Sequence, residues 1–409
     1  MKILGIETSC DETAAAVVED GVRIMSNVVV SQIDVFAEYG GVIPEVAARS
    51  HLEVILPVID KALSDASCSW DDIDAIAVTH APGLLGSLLI GTLTARTLAV
   101  LHNKPLYAVH HLKSHVYANW LDDNGNQNNA FSTHSSRPVD LNWLDSEPES
   151  VHFGARPAGP SPWAAGATPR AAALRTPFNE QISGSLQPIF PLLALVVSGG
   201  HTQILYMPEH NRFEIIGTTR DDAVGECFDK VAKILGLPYP GGPSIAKAAL
   251  NGDDQKYQLP HPKVEGLDFS FSGLKTAVLR AVQKEVGVSI SYPSHKLKEL
   301  LSKQQVCDFA ASFQRTAVEI LIEKLKGALI RYPEIKTVAV AGGVSANTVL
   351  RERLNTCLGT NYAIYFPAPA LSGDNGAMVA AACFFERQAG AQPVDPYTLN
   401  IYPRIPISE

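Results

Sequence analysis

The sequence predicts an α/β protein built from two related lobes that face each other. Three observations carry this. Residues 2–6 read as a strand, Glu7-Thr8-Ser9-Cys10-Asp11-Glu12-Thr13 as a polar turn, and residues 14–18 as a second strand. The same plan returns at residues 192–197, Ser198-Gly199-Gly200-His201-Thr202-Gln203 and residues 204–207. Between the two hairpins, a buried strand at 73–79 runs through Ala81-Pro82-Gly83 into a small-residue helix over 84–101, as in an α/β unit with close helix packing.

At 409 residues the chain can bury a large core, and its 46% hydrophobic and 18% charged content is that of a globular protein. The net charge of −9 argues against broad, non-specific nucleic-acid binding, although a local basic patch stays open. The six cysteines are scattered, with no CxxC pair, so neither a zinc ribbon nor a disulfide framework is expected. Met1-Lys2 runs straight into the first strand, leaving no room for a signal peptide, and no apolar run is long enough for a bilayer. The expectation is a cytoplasmic protein with no membrane partner.

In chain order, the first turn is dense in hydroxyls and carboxylates. It can bind phosphate through backbone N–H groups, or a cation through Asp11 and Glu12; an ordinary self-capping turn reads equally well. Gly40-Gly41-Val42-Ile43-Pro44 feeds a helix over 45–62, and a short strand at 105–109 precedes Val-His-His-Leu-Lys-Ser-His. There His111 and His115 stand at i,i+4, so a helix puts both rings on one face, as two ligands of one metal require. An isolated pair of this kind is more often two surface histidines.

From about 122 to 185 the chain is rich in Asn, Ser, Pro, Gly and Ala with no sustained period, which predicts an insertion, mostly disordered. Trp120, Trp143 and Trp163 are candidates to anchor pieces of it on the surface. The organisation expected is a first lobe over 1–121, the insertion over 122–185 and a second lobe over 186–370. A closing helix over 371–390 and a tail over 391–409 complete it.

In the second lobe, Gly199-Gly200 lets a phosphate approach the backbone, or forms a plain hairpin turn. Asp222, Glu226 and Asp229 are expected on one helical face, where aligned carboxylates suit sugar hydroxyls or a cation. Phe269-Ser270-Phe271 reads as a strand turning into a helix, with Lys275 in its first turn and a weakly basic stretch to Lys303. Helix 308–331 is a core helix. Strand 337–341, Gly342-Gly343-Val344-Ser345-Ala346-Asn347 and helix 348–358 form a βα turn with Ser345 or Asn347 as cap. Asp374 opens the final helix over 377–389. It reads as an N-cap in isolation and is also the best-placed oxygen ligand to join His111 and His115.

Together these motifs, with Gly41-Val42-Ile43-Pro44-Glu45, Pro240-Gly241-Gly242-Pro243 and Asp374-Asn375-Gly376-Ala377-Met378, closely resemble the bacterial tRNA N(6)-adenosine threonylcarbamoyltransferase family, formerly labelled O-sialoglycoprotein endopeptidases. The resemblance spans all but about 122–185 and the extreme C-terminus. It implies the two-lobed actin/hexokinase/Hsp70-like (ASKHA) fold with a ligand cleft. It also implies transfer of threonylcarbamoyl from threonylcarbamoyl-AMP to N6 of adenosine 37 in tRNAs that read codons beginning with A.

The metal ligands it implies are His111, His115 and Asp374, with one iron(II) per subunit, or zinc. The substrate positions it implies are Val196, Val197, Ser198, Gly199, Gly200, Asp229, Gly242 and Asn347. Partners expected are an inactive paralogue and a small ATPase. Asp11 or Glu12 is the candidate base for the attacking amine. Three departures stand out: Ala81 and Gly373 replace the usual glycine and threonine, and Lys113 stands where an acid is common. Rival readings are a glycoprotein endopeptidase, which lacks the glutamate of HExxH here, a kinase or chaperone of the same fold, which needs no histidine-held metal, and a scaffold paralogue that has lost the histidines.

Overall fold

The computed structural model describes residues 1–122 and 187–407. Apart from Asp122, the predicted insertion over 122–185, with Trp143 and Trp163, lies outside the described residues.

The first lobe opens with three antiparallel strands, β1 (Lys2–Glu7), β2 (Glu12–Glu19) and β3 (Arg23–Ser31). Helices α1 (Ile33–Tyr39) and α2 (Pro44–Asp65) follow, then β4 (Ala75–Ala81), α3 (Leu85–Leu101), β5 (Leu106–His110) and α4 (His111–Tyr117). Strands β4 and β5 add in parallel, giving the order β3-β2-β1-β4-β5.

In the second lobe, β6 (Leu192–Val197), β7 (Thr202–Glu209) and β8 (Arg212–Thr218) are antiparallel. They are followed by α5 (Val224–Leu235), α6 (Gly241–Ala249), α7 (Ser272–Glu285) and α8 (Lys303–Arg331). Strand β9 (Thr337–Ala341), α9 (Thr348–Leu358), β10 (Ala363–Tyr365) and α10 (Gly376–Gln388) end the series. The second sheet is ordered β10-β9-β6-β7-β8, with β6, β9 and β10 parallel. Matched strand for strand, the two sheets have one topology. Duplicated sheets of this order with a cleft between them are the two-lobed ASKHA fold.

The central strands are buried along their whole length because helices cover both faces, so they read as continuous apolar runs rather than alternating ones. Leu193, Leu195 and Val197 face one core with α5, α7 and α8. Leu192, Ala194 and Val196 face another, shared with Ile3, Ala16, Val116, Tyr117 and α10. That second core joins the lobes. Helix α10 reaches it because Gly5 and Gly376 meet backbone to backbone: a Cβ on Gly5 would lie 2.2 Å from the Gly376 carbonyl oxygen. The last helix in sequence therefore belongs to the first lobe.

Several expectations are corrected here. Strands β3 and β8 extend each hairpin to three strands. Residues 269–271 are not a strand. Only Phe269 bridges to Thr219, and the Asp221 carboxylate holds the rest, accepting from Phe271 N at 2.8 Å and Ser272 Oγ at 2.7 Å. Helix α8 starts five residues earlier than expected, at Lys303, under a Ser302/Gln305 capping box. Trp120 is no surface anchor: it is 3% exposed and packs against Tyr117, Phe190 and Phe385.

Candidate active site

A cleft of about 1550 Å³ opens between the lobes. The β1–β2 turn, the α4 start, the β6–β7 turn, the α5–α6 corner and the turns before α9 and α10 line it.

The floor is built around α4. His110 ends β5 and caps the helix, its Nδ1 accepting from Leu112 N at 3.2 Å, so His111 and His115 leave the sheet edge one turn apart. Their rings lie 4.6 Å apart at 76°. Asp374 comes from the opposite end of the chain, with Oδ1 3.1 Å from His115 Nε2 and 3.7 Å from His111 Nε2. The three ligand atoms lie within 4.8 Å of one another. In a tetrahedral site with bonds of about 2.0–2.1 Å, ligand atoms stand about 3.3 Å apart; the two Asp374–histidine distances, 3.1 and 3.7 Å, bracket that value, and a small rotation of the rings closes the set on one ion.

Two observations test the fit further. His115 is buried, yet Nδ1 has no hydrogen-bond partner and Nε2, 3.1 Å from Asp374 Oδ1, makes no aligned hydrogen bond. Buried polar atoms left in that state need an explanation, and a ligating metal supplies one. His111 Nδ1 faces Glu7 Oε2 at 3.3 Å and Ser9 Oγ at 3.1 Å, which turns Nε2 toward Asp374. Glu7 is itself held by Thr79 Oγ1 and Ser9 N, each at 2.5 Å. A carboxylate behind a ligating imidazole is the usual outer support of a metal site. The residues fit a divalent metal.

Burial works against charge on His111 and Asp374, but proximity wins. His111 resists protonation through burial, yet Asp374 and Glu7 together lift it to about 9. Burial would raise Asp374, but the charges of His111 and His115 hold it down at about 2.

The predicted N-cap role of Asp374 is corrected. Asn375 caps α10, its side chain accepting from Met378 N at 2.9 Å, so the Asp374 carboxylate is not spent on the helix. Gly373 needs no cap chemistry here. Lys113, on the same short helix as the histidines, points away from them: Nζ donates to Asn211 Oδ1 at 3.1 Å and sits 3.8 Å from Glu386.

The first turn stands beside the His111/His115/Asp374 cluster and is braced from behind. His51 of α2 contacts the Cys10 carbonyl at 2.9 Å and Thr13 Oγ1 at 2.7 Å, and Ser87 of α3 donates to the same carbonyl at 3.1 Å. Gly83 lets the β4–α3 turn touch it, since a Cβ there would lie 2.5 Å from the Ser9 carbonyl oxygen. Asp11 and Glu12 both line the cleft. Burial pushes Glu12 well above the usual carboxylate range, and the neighbouring Asp11 and Asp374 add to it. Burial raises Asp11 as well, against a hydrogen bond with Cys10.

On the second lobe, Ser198, Gly199, Gly200, Asp229, Gly242 and Asn347 line the cleft. Gly199, Gly200 and Gly242 leave open space where a side chain would stand. Asp229 accepts from Gly241 N at 2.6 Å, and its burial raises it above the ordinary range despite that bond. Asn347 caps α9 and donates Nδ2 to Gln314 Oε1 at 2.9 Å. Val196 and Val197 do not reach the cleft. Their side chains are fully buried in the two cores, directly ahead of the turn that lines the cleft.

The expected carboxylate face of α5 forms only in part. Asp222 precedes the helix, and Lys230 takes both Asp222, at 2.6 Å, and Glu226, at 2.8 Å, so of the two acids on the helix that line the cleft only Asp229 has no cation partner. Lys275 is not among the cleft residues. The sequence reading missed Glu7, Thr79, Tyr239 and the tail residues 403–407, the last two of which line the cleft. Glu7 alone had a signal, an acid opening the polar turn.

Fold and site together define a two-lobed ASKHA protein with a histidine/carboxylate cluster, able to hold a metal ion, at its cleft. Its fold is shared with the crystal structure of T. kodakarensis HypF, at a TM-score of 0.53 and 13% identity over 95% of this chain and 48% of that one. The family model described as tRNA N6-adenosine threonylcarbamoyltransferase matches residues 23–132 and 178–381. Relatives of that name from Symbiobacterium thermophilum and Thermomicrobium roseum are 43% and 40% identical. The first covers 95% of this chain and 93% of the relative, the second 100% and 97%. The chain belongs to the tRNA N6-adenosine threonylcarbamoyltransferase family.

Proposed function

We propose that the protein transfers the threonylcarbamoyl group of threonylcarbamoyl-AMP to N6 of adenosine 37 in tRNAs reading codons that begin with A. The His111/His115/Asp374 set, with His111 and Asp374 lining a nucleotide-sized cleft and His115 buried behind them, supports this reading within the family. These three residues would hold one divalent metal. The mixed imidazole and carboxylate set suits iron(II), with zinc as the alternative. When bound, such an ion supplies Lewis-acid stabilisation of charge on the acyl group.

The chain's own residues do the rest. Gly199, Gly200 and Gly242 let the AMP portion approach the backbone, Asn347 flanks it, and Asp229 takes the ribose hydroxyls. Acyl transfer forms the N6–carbonyl carbon bond and breaks the carbonyl–phosphate anhydride, so AMP leaves and N6 loses a proton. The Asp11/Glu12 pair receives that proton. Its raised affinity for protons, from burial and the nearby charge of Asp374, brings a carboxylate nearer the pKa a general base needs.

The endopeptidase reading has little to stand on. Leu112, Lys113 and Ser114 separate the histidines, and the glutamate beside His111, Glu7, is engaged by Ser9, Thr79 and His111 on the side away from Asp374.

The partners follow as part of the proposal: an inactive paralogue and a small ATPase. Leu52 and Leu56 on α2 and Leu85, Leu89 and Leu93 on α3 are exposed at helical spacing, an apolar face suited to a protein partner. Among the described residues no helix is long and apolar enough to cross a membrane, which suits work in the cytoplasm. The test is incubation with unmodified tRNA, threonylcarbamoyl-AMP and both partners, followed by nucleoside mass spectrometry. Modified adenosine is expected, and Asp11→Asn with Glu12→Gln should lower kcat about 10²-fold or more at unchanged metal content. Turnover untouched by that pair of changes removes them as the base.

A further inference from the structure

The tail after α10 is part of the cleft. Val394 bridges to Leu106, and the Arg96 guanidinium holds the Pro396 and Tyr397 carbonyls, so the chain runs back along the first lobe. Tyr402 N then donates to the His80 carbonyl at 3.0 Å, and Gly83 N donates to the Pro403 carbonyl at 3.3 Å. His110 fixes the next residue. Its Nδ1 accepts from Leu112 N, so Nε2 carries the proton and donates to the Ile405 carbonyl at 3.2 Å. Ile407 is 1% exposed and plugs into the core between the lobes. Pro403 and Pro406 keep Tyr402 and Ile405 extended. The result is a strap whose backbone is pinned and whose residues 403–407 wall the cleft beside His111.

One side chain of the strap is left over. Arg404 is exposed, lines the cleft, and has no carboxylate partner among the described residues. It stands in acidic surroundings: the cleft also carries Asp11, Glu12, Glu226, Asp229 and Asp374. Apart from the histidines, its other basic side chains are Lys230, already paired with Asp222 and Glu226, and Lys233 on the second lobe. A polyanion entering this cleft meets net repulsion inside and needs cations at the mouth.

We propose that the strap is the RNA-facing wall of the cleft and that Arg404 binds a backbone phosphate next to the acceptor adenosine. This rests on the transferase reading above. The small adenylate is held on the second lobe, at Gly199, Gly200, Gly242 and Asn347, whereas Arg404 projects from the first lobe at the solvent edge. A nucleotide that enters from a polymer leaves its flanking phosphates at that edge. A guanidinium pairs bidentately with phosphate, and its rigid anchorage limits the entropy lost on binding.

Steady-state kinetics of the complete system, with tRNA and threonylcarbamoyl-AMP varied in turn across a salt series, test this. For Arg404→Ala we expect KM for tRNA to rise about five- to twentyfold, with KM for the adenylate and kcat within twofold of wild type. The slope of log affinity against log salt should fall by about 0.7–0.9, one phosphate contact. Arg404→Lys should keep the slope and recover part of the affinity. A raised KM for the adenylate alone would assign Arg404 to the small ligand, and wild-type values throughout would make it a solvated cation; either overturns the proposal. Wild type that modifies no tRNA at all would instead count against the transferase reading.

Discussion

At the scale of single residues, the clustering of His111, His115 and Asp374 was legible and its support was not. His111 and His115 announce themselves by i,i+4 spacing on a helix, a local signal. Asp374 joined them only as a polar residue before a helix, and its freedom from capping depends on Asn375 doing that work. Glu7 and Ser9 meet His111, and Thr79 holds Glu7, because β1 pairs in parallel with β4, and no sequence spacing encodes that meeting. Support of this kind has a measurable consequence. Glu7→Gln keeps the shape but removes the charge behind His111, and should weaken metal affinity about 10- to 100-fold in chelator competition. Wild-type affinity would show that the Glu7–His111 contact does not tune the site. His115→Ala and Asp374→Ala should each leave protein without stoichiometric metal by elemental analysis, while far-UV circular dichroism stays that of the wild type.

At the scale of elements, long periodic helices and apolar central strands could be read, and irregular segments could not. The bounds of β6, β9 and α9 match the expectation residue for residue because apolar runs stop at Ser or Gly. Residues 269–271 misled because alternating Phe and Ser mimic a half-buried strand, whereas a side-chain carboxylate, Asp221, holds them. Helix α10 carries a second testable feature. Burial pushes Glu386 up to about 7, against the opposing charge of Lys113. A carboxyl raised in the folded state above its unfolded value of 4.5 binds more protons when folded, so stability falls as pH rises from about 4.5 to 7. Glu386→Gln removes that dependence. Between pH 5 and 8, denaturant titrations should show wild type losing up to about 3 kcal/mol more than the variant. Parallel profiles would mean that Glu386 is already ionised in the folded protein.

At the scale of the molecule, duplication was visible in the sequence and closure was not. Two hairpins with polar turns and following βα units gave the two lobes. Nothing in residues 371–407 showed that the chain returns to the first lobe, packing α10 on β1 through Gly5 and Gly376 and then walling the cleft with the tail. That return depends on backbone carbonyls held by Arg96, Gly83 and His110, and carbonyls look alike in any sequence. It also explains how a ligand near the C-terminal end, Asp374, reaches histidines in the first third of the chain.

The most direct measurement supplies preformed threonylcarbamoyl-AMP and unmodified tRNA to the metal-loaded protein with its partners, beside the His115→Ala variant. Nuclease digestion and mass spectrometry then locate any threonylcarbamoyl group. The account predicts N6-threonylcarbamoyladenosine at position 37 with wild type, and a loss of at least 10²-fold with the variant. Equal product from both, or none from well-folded, metal-loaded wild type, would contradict it.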